Sequence, residues 1–311
     1  MEIPHAAPFA RAPKFDLRQA RAFLCVADEL HFGRAAARLY TTQPALSRGI
    51  RALEEAIGVA LFERSTRRVR LTSAGDAFAA ECRLALGHME RAAGAAHDAA
   101  EGRAGRLRVA YMDFAINGRL PPLVRDFRRK HPRTVLDLEY LPSAKQRTAL
   151  LEGRIDIGFM IGEFESTRVH NVLVDQDDHV ALLPDSHPLA SKRTLRLADL
   201  AAEPWVMGTE DAFSTYRRLL LPLCHEAGFM PEVVQQASNS NGILGMVAAG
   251  VGVTVYAGCA RNLRRTGVVV KPLADVSATI PVFAAWVGEG ASEVLRRFTE
   301  FLVANARLGV R

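Results

Sequence analysis

The chain has 311 residues, of which 49% are hydrophobic and 24% charged, and its formal net charge is +6. This length can bury the cores of two or three domains, and the composition excludes a chain too polar to fold. The basic surplus is local, because residues 14–72 contain eleven Lys and Arg against six Asp and Glu. A local surplus of this kind predicts an anionic partner such as DNA.

Three features exclude other classes of protein. Residues 1–13 contain three prolines and no long apolar run, so we predict a disordered tail and no signal peptide. The four cysteines have neither disulfide-framework nor metal-ligand spacing, and we expect no metal and no cofactor. Residues 243–260 carry no charge but contain four glycines, which favours a buried helix followed by a strand over a membrane span. We therefore predict a cytoplasmic protein with no membrane partner.

The first segment predicts three helices with a tight corner. Residues 16–30 form an amphipathic helix that Asp16 can cap. Residues 34–39 form a short second helix, and a four-residue connection leads to a third helix over 44–57. The third helix has one apolar stripe, formed by Leu46, Ile50, Leu53 and Ile57. This arrangement is typical of a helix-turn-helix.

Polar side chains lie away from the apolar stripe of the third helix, where a major groove could receive them. An alternative is an ordinary surface helix with solvated arginines. Thr42 or Gln43 would cap this helix, and Pro44 fits its first turn. The DNA-binding candidates in this corner are Thr42, Gln43, Pro44, Ser47, Arg48 and Arg51.

A hairpin follows the corner. Residues 61–64 and 69–71 predict two short strands joined through a tip at 65–68. Arg64, Arg67 and Arg68 lie at or beside this tip. Arginines at such a tip can contact phosphates or a minor groove, so we predict a DNA-binding wing.

Residues 15–75 together resemble the winged helix-turn-helix of LysR-type transcriptional regulators, and the rest of the chain has the length and order of that family's effector-binding module. The resemblance implies an N-terminal winged helix-turn-helix at 14–72, a linker at 73–105 and a two-lobed α/β effector domain at 106–311, similar to periplasmic solute-binding proteins. One departure is Gly49, where relatives commonly carry a longer polar residue. Glycine inside a helix costs about 1 kcal/mol relative to alanine.

The linker predicts a long Ala-rich helix from residue 73 to about 100, capped by Thr72 or Ser73, and a hinge at 101–105. Its apolar stripe contains Phe78, Cys82, Leu86 and Met89. That stripe needs a partner, which could be the chain's own domain. The resemblance implies instead a second subunit, in a homo-oligomer built as a dimer of dimers.

From Arg106 onward, strands and helices alternate. Strands are predicted at 107–111, 135–140, 155–160, 179–184, 205–207, 233–236, 252–256 and 280–287, and helices at 120–130, 144–152, 215–227, 242–249 and 292–304. Such alternation predicts a mostly parallel sheet with right-handed crossovers. We expect one lobe at about 106–175 and 281–311 and a second at about 176–280.

A ligand in an open α/β sheet binds beyond the carboxyl ends of the strands. The effector-binding candidates at those ends are Phe114, Ile116, Ser143, Ile161, Phe213 and Asn239. Ser143 and Asn239 offer a hydroxyl and an amide to the cleft, but each also precedes a helix and could serve only as its cap.

The resemblance adds detail to this cleft. Pro142-Ser143-Ala144 matches a loop whose hydroxyl meets the inducer in relatives, and Phe213-Ser214-Thr215 matches a segment whose aromatic ring lines their cleft. Phe114 stands where relatives often have serine. Ile161 lies near the position at which some relatives have an arginine that pairs with an inducer carboxylate. An aromatic or carboxylated metabolite is implied. With Phe114 and Ile161 the cleft has no obvious cation, which favours a neutral or weakly charged metabolite.

Two other functions fit the sequence less well. An enzyme would need a nucleophile–base set, a phosphate loop or metal spacing, and none stands out in the sequence, so we expect no catalytic residue. A solute-binding protein would have no use for a winged helix-turn-helix. The sequence predicts a DNA-binding regulator that binds double-stranded promoter DNA under the control of a small-molecule inducer.

Overall fold

The computed structural model describes residues 14–64, 68–100, 105–288 and 292–305. The chain divides into two compact units between Ala92 and Ala93. The N-terminal unit contains α1 (Leu17–Glu29), α2 (Phe32–Arg38), α3 (Gln43–Ile57), β1 (Phe62–Arg64), β2 (Val69–Leu71) and most of α4 (Ser73–Ala100). The domain limits given above stay predictions.

The first two helices begin at side-chain caps. Asp16 Oδ1 accepts the Gln19 N–H at 2.8 Å, and Gln19 Oε1 accepts the Asp16 N–H at 3.0 Å. Asp16 is therefore the cap that the sequence predicts. Helix α2 begins at Phe32, two residues earlier than predicted, because Nδ1 of His31 accepts the Arg34 N–H at 3.1 Å.

Helix α3 has the predicted stripe and ends. Thr42 Oγ1 accepts the Ala45 N–H at 3.4 Å at its start, and Gly58 ends it with a φ of +86°. Leu46, Ile50 and Leu53 are buried. The stripe therefore anchors α3 in the core of this unit.

The apolar stripe of α4 is used largely inside its own unit. The Phe78 ring lies 5.4 Å from that of Phe15 and 5.0 Å from that of Phe23. Cys82 is buried, and Leu86 packs against the same core, whereas Met89 is 53% exposed. Phe78, Cys82 and Leu86 therefore contribute to the core of their own domain, because α4 follows the wing directly. Burial of the stripe between subunits stays a prediction.

The first lobe of the C-terminal unit is built on a five-stranded sheet. Its elements are β3 (Arg106–Tyr111), α5 (Asp113–Asn117), α6 (Leu120–Lys130), β4 (Val135–Tyr140), α7 (Ser143–Leu151), β5 (Ile157–Ile161), β6 (Val169–Asp177), β12 (Ile280–Val287) and α10 (Glu293–Asn305). The strand order is β4-β3-β5-β12-β6. Strand β3 is parallel to β4 and β5, whereas β12 is antiparallel to β5 and β6.

The second lobe has its own sheets. Its elements are β7 (His179–Pro184), β8 (Pro204–Gly208), α8 (Glu210–Glu226), β9 (Glu232–Ala237), α9 (Ser240–Ala248), β10 (Thr254–Ala257) and β11 (Val268–Pro272). Strand β7 pairs antiparallel with β10 and β11, and β8 pairs parallel with β9. The prediction of a mostly parallel sheet is therefore wrong, because β12 is antiparallel to both of its neighbours and β7 is antiparallel to both of its own. Two of the strands in these pairs, β6 and β11, were not predicted.

The uncharged stretch at 243–260 contains helix α9 and strand β10, as predicted. Gly250 adopts a φ of +73° between them. A Cβ on Gly252 would lie 2.3 Å from the Pro204 carbonyl oxygen, so the chain needs glycine at this close approach. Within the described residues, no helix combines the length and the apolarity that a membrane crossing requires.

Candidate DNA-reading surface and effector cleft

The solvent face of α3 carries the predicted DNA-binding side chains. Arg48 and Arg51 are exposed, and Ser47 is half-buried. Thr42, Gln43 and Pro44 are exposed at the start of the helix. Since the opposite face is held in the core, these groups can be presented to a groove without moving the helix.

The wing is a two-stranded antiparallel ribbon in which Phe62 pairs with Leu71 and Arg64 with Val69. Arg68 is exposed just before β2. The side chain of Arg64 and the whole of Arg67 lie outside the described residues. The described part therefore confirms the predicted hairpin but not the positions of those two guanidinium groups.

Tyr40, in the turn between α2 and α3, is a further surface residue that no sequence pattern indicated. Its φ is +53°, in the left-handed region, and its side chain is 99% exposed. The turn is fixed by backbone bonds, with the Tyr40 N–H donating to the Ala37 carbonyl at 3.2 Å and the Thr41 N–H to the Ala36 carbonyl at 3.0 Å. A fully exposed phenol beside the start of α3 can donate a hydrogen bond to a phosphate.

In the C-terminal unit, the inner part of the cleft between the lobes is filled with aromatic rings. The buried Phe114 ring lies 4.9 Å from that of Tyr216, 4.8 Å from that of Tyr256 and 6.3 Å from that of Phe213. Helix α8 begins at Glu210, five residues earlier than predicted, so Phe213 lies at a kink inside it. The cavity left here measures ≈ 10 Å³ and is lined in part by Ser143 and Ile161. A space of this size holds about one water molecule.

The outer part of the cleft is much larger, at ≈ 650 Å³, which suits a small organic ligand. Of the six predicted effector-binding residues, Ile116 and Asn239 line it. The other lining residues include Tyr111, Asp113, Asn117, Tyr140, Lys145, Asp211, Ser238, Ser240 and Asn241. The structure thus separates the predicted set between an outer and an inner space.

The two polar candidates have different local roles. Asn239 caps α9, with its Oδ1 accepting the Gly242 N–H at 2.8 Å. Ser143 is the first residue of α7 and makes no cap bond there. Its hydroxyl oxygen instead accepts the Ile161 N–H at 3.0 Å. The cap alternative is therefore wrong for Ser143, whereas Asn239 is a cap that also lines the cleft.

A carboxylate that sequence analysis did not single out joins the two lobes. Asp113 Oδ1 accepts the Ser240 N–H at 3.0 Å and also the Ser240 hydroxyl. Its Oδ2 accepts the Tyr140 hydroxyl at 2.8 Å. Burial, followed by the Asp113 charge, raises the pKa of Tyr140 above its usual value, so that phenol stays a donor. The position of Asp113 just past β3 was the available signal.

The cleft also contains a cation. Lys145 Nζ on α7 lies 2.8 Å from Asp211 Oδ2 on α8, which makes an ion pair between the lobes. The expectation of a cleft without an obvious cation, based on Phe114 and Ile161, is therefore wrong. Lys145 lies in the first turn of α7 and lines the cleft. Of the residues in this turn, only Ser143 was predicted to face the cleft.

Comparison with known proteins places these two surfaces in a family. Residues 17–76 match the helix-turn-helix model of bacterial regulatory proteins of the lysR family, and residues 100–307 match the LysR substrate binding domain. The transcriptional regulator AlsR of Bacillus subtilis is 34% identical over 283 residues, covering 91% of this chain and 94% of AlsR. ShiR of Corynebacterium glutamicum is also 34% identical, with 90% and 95% covered.

Solved structures agree with this assignment. The structure of CbnR, a LysR family transcriptional regulator, superposes with a TM-score of 0.67 and 26% identity, over 94% of this chain and all of CbnR. Full-length CbnR in complex with its target DNA gives a TM-score of 0.64 and 25% identity, with the same coverage of both chains. The chain belongs to the LysR family of DNA-binding transcriptional regulators, with an N-terminal helix-turn-helix and a C-terminal effector-binding domain.

Proposed function

We propose that this regulator binds double-stranded promoter DNA through α3 and the wing, and that a small-molecule inducer in the ≈ 650 Å³ cleft modulates that binding. The observation that carries the proposal is the presence, in one chain, of an exposed arginine-bearing recognition helix and a ligand-sized cleft between two lobes. The DNA complex of the related CbnR supports the first half. The protein acts in the cytoplasm and has no catalytic role.

The proposed DNA contacts fall into two groups. Ser47, Arg48 and Arg51 face the bases, because they project from the exposed side of α3. The start of the helix and the wing position the domain on phosphates; these positioning residues are Thr42, Gln43, Pro44, Arg64, Arg67 and Arg68.

The inducer occupies the outer cleft, where a ring can lie against Tyr111 and Tyr140, whose own rings are 6.0 Å apart. Ile116 and Asn239 line this space directly. Phe114, Ser143, Ile161 and Phe213 form the inner floor, and they shape the site from below. An aromatic metabolite suits these walls better than a purely aliphatic one.

The inducer acts by favouring one arrangement of the lobes. Contacts such as Lys145–Asp211 and Asp113–Ser240 join the lobes and would break if the lobes moved apart, so a ligand that binds one arrangement more tightly shifts the equilibrium toward it. The regulator assembles as a dimer of dimers, in which the change alters the spacing of DNA-reading domains.

A gel shift tests the DNA half of this function. The full-length chain is titrated against the DNA upstream of its own gene and against a shuffled duplex of equal length and composition. We expect the native duplex to bind more tightly by at least about 4 kcal/mol, the lower end for specific over non-specific binding. Equal affinity for the two duplexes would refute sequence-specific regulation.

A further inference from the structure

The strongest unassigned feature is the carboxylate of Asp113 at the start of α9. Asp113 comes from the first lobe and is 9% exposed. Its Oδ1 accepts both the backbone N–H and the hydroxyl of Ser240, the first residue of that nine-residue helix in the second lobe. The N-terminus of a helix attracts anions through its free N–H groups and its dipole. The protein therefore places its own anion where a ligand carboxylate would otherwise be favoured.

This carboxylate has no cationic partner among the described residues. Its donors are the Ser240 backbone and hydroxyl groups and the Tyr140 hydroxyl, all of them neutral. The dipole of α9 offsets only part of a full negative charge, so a buried carboxylate without a counter-ion leaves a negative potential around it. The outer cleft, which Asp113 lines, lies directly in that potential.

The other charges of the cleft do not offset it. Lys145 is paired with Asp211 at 2.8 Å, so these two side chains largely cancel. The charged residues that line the cleft are then Asp113, Asp211 and Lys145, with one net negative charge. An anionic ligand would meet repulsion from Asp113 and would gain Lys145 only by breaking an existing ion pair.

We propose that Asp113 sets the chemical class of the effector: a ring compound that is uncharged or positively charged and donates hydrogen bonds, with carboxylates rejected. Asp113 Oδ2 accepts a hydrogen bond from the Tyr140 hydroxyl, and a carboxylate can accept about four hydrogen bonds in total, so Asp113 can also receive a ligand donor. The tyrosine rings on the same wall favour an aromatic or cationic ring substituent. This inference rests on the proposed function, because it concerns the ligand of the same cleft.

Three planar probes of nearly the same shape test the charge selection: benzamidinium, benzamide and benzoate. Calorimetric titration of each into the full-length wild-type chain gives a ranking that requires no variant. A negative probe is repelled by the Asp113 carboxylate, whereas a positive probe is attracted and a neutral one is not repelled. We therefore expect benzoate to bind at least about tenfold more weakly than either other probe. Preference for benzoate, or no binding of any probe, would overturn the proposal.

Two variants separate charge from structure. Asp113→Asn keeps the size and an acceptor for the Ser240 N–H but removes the charge, so the ratio of the benzoate to the benzamidinium dissociation constant should fall at least about tenfold. Ser240→Ala removes a hydroxyl contact between the lobes but keeps the carboxylate, and should leave that ratio nearly unchanged. An unchanged ratio in Asp113→Asn, or a loss of ratio in Ser240→Ala alone, would assign the selection to lobe geometry and refute it for Asp113.

A gel shift on the same protein distinguishes failure of the Asp113 proposal from failure of the proposed function. If sequence-specific DNA binding is intact and the charge preference is absent, only the proposal for Asp113 fails. If the chain does not distinguish its upstream DNA from a shuffled duplex, the proposed function fails independently of the probe ranking.

Discussion

The Glu54 carboxylate on α3 accepts the backbone N–H of Leu61 at 2.9 Å, and also that of Phe62 at 3.1 Å. The recognition helix thereby holds the entry to the wing. Leu61 and Phe62 are buried, so these N–H groups have no ready access to water. Loss of the carboxylate would leave two buried donors unsatisfied.

Glu54→Ala should therefore destabilise the N-terminal unit by roughly 1–3 kcal/mol and weaken DNA binding through displacement of the wing. The next residue provides a matched control, because Glu55 is exposed and Glu55→Ala should have little effect on either property. Thermal melts and gel shifts measure both. Equal melting temperatures for the two variants would show that Glu54 does not hold the wing.

The recognition face of α3 gives a second test. If Arg48 reads a guanine, Arg48→Ala should cost roughly 1–3 kcal/mol on specific DNA and much less on random DNA. Arg21→Ala is the control, because Arg21 is exposed on α1, outside the proposed DNA contacts. Fluorescence anisotropy on both duplexes distinguishes the cases. An equal loss on both would assign Arg48 to a phosphate, and no loss on either would remove it from the interface.

Gly49 lies inside α3 where the helix has room for a side chain. A Cβ there would meet no atom within 4 Å. Gly49→Ala should therefore stabilise the unit by up to about 1 kcal/mol, through higher helix propensity. Gly75→Ala is the opposite case, because its Cβ would lie 2.1 Å from the Leu61 carbonyl oxygen. A denaturant titration should show the two variants moving in opposite directions, and destabilisation by Gly49→Ala would contradict this.

Sequence periodicity predicted the local parts of this molecule well. The bounds of α6, β4 and β7 are those expected, and three of the four stripe residues of α3 are buried, with Ile57 half-buried. These elements carry their own patterns of apolar spacing and caps. Strand β6 was missed because its nine residues alternate buried and exposed side chains irregularly, and its place beside β12 depends on a pairing across more than a hundred residues.

The cleft was less accessible to sequence reasoning. The expectation that a ligand binds beyond the carboxyl ends of the strands selected the correct region. Asn239 in this region is both a cap and a cleft residue. That expectation could not separate the outer space from the inner aromatic cluster, since that depends on how Phe114 packs against Tyr216 and Tyr256. Nor could it find the bond between Asp113 and Ser240, whose partners are 127 positions apart.

Substitutions of Tyr40 should affect stability and DNA binding in different ways. A left-handed conformation costs a non-glycine residue roughly 1–2 kcal/mol, and Tyr40 is almost fully exposed, so it buries little surface in return. Tyr40→Gly should keep or raise the melting temperature and weaken DNA binding. Tyr40→Phe should weaken binding only if the hydroxyl contacts a phosphate. Unchanged DNA affinity in both variants would exclude Tyr40 from the interface.

The last prediction concerns pH and the acidic residues where β6 leads into β7. Burial raises the pKa of Asp177 to about 6, the charges of Asp175 and Asp178 add to the rise, and the Cys259 N–H, which donates to Asp177 Oδ2 at 2.7 Å, opposes it. The ordinary value is 3.8. Between these two values the folded state binds more protons than the unfolded state, so the contribution of Asp177 to stability falls as pH rises toward 6.

Asp177→Asn should therefore raise the melting temperature relative to wild type above about pH 6, because asparagine keeps an acceptor for the Cys259 N–H without the charge. The gain should shrink as pH falls through this range, since wild-type Asp177 then becomes neutral as well. Asp185→Asn, at an exposed position, controls for the change in net charge. Melting curves across the range measure the difference, and a gain that is independent of pH would show that titration of Asp177 is not its cause.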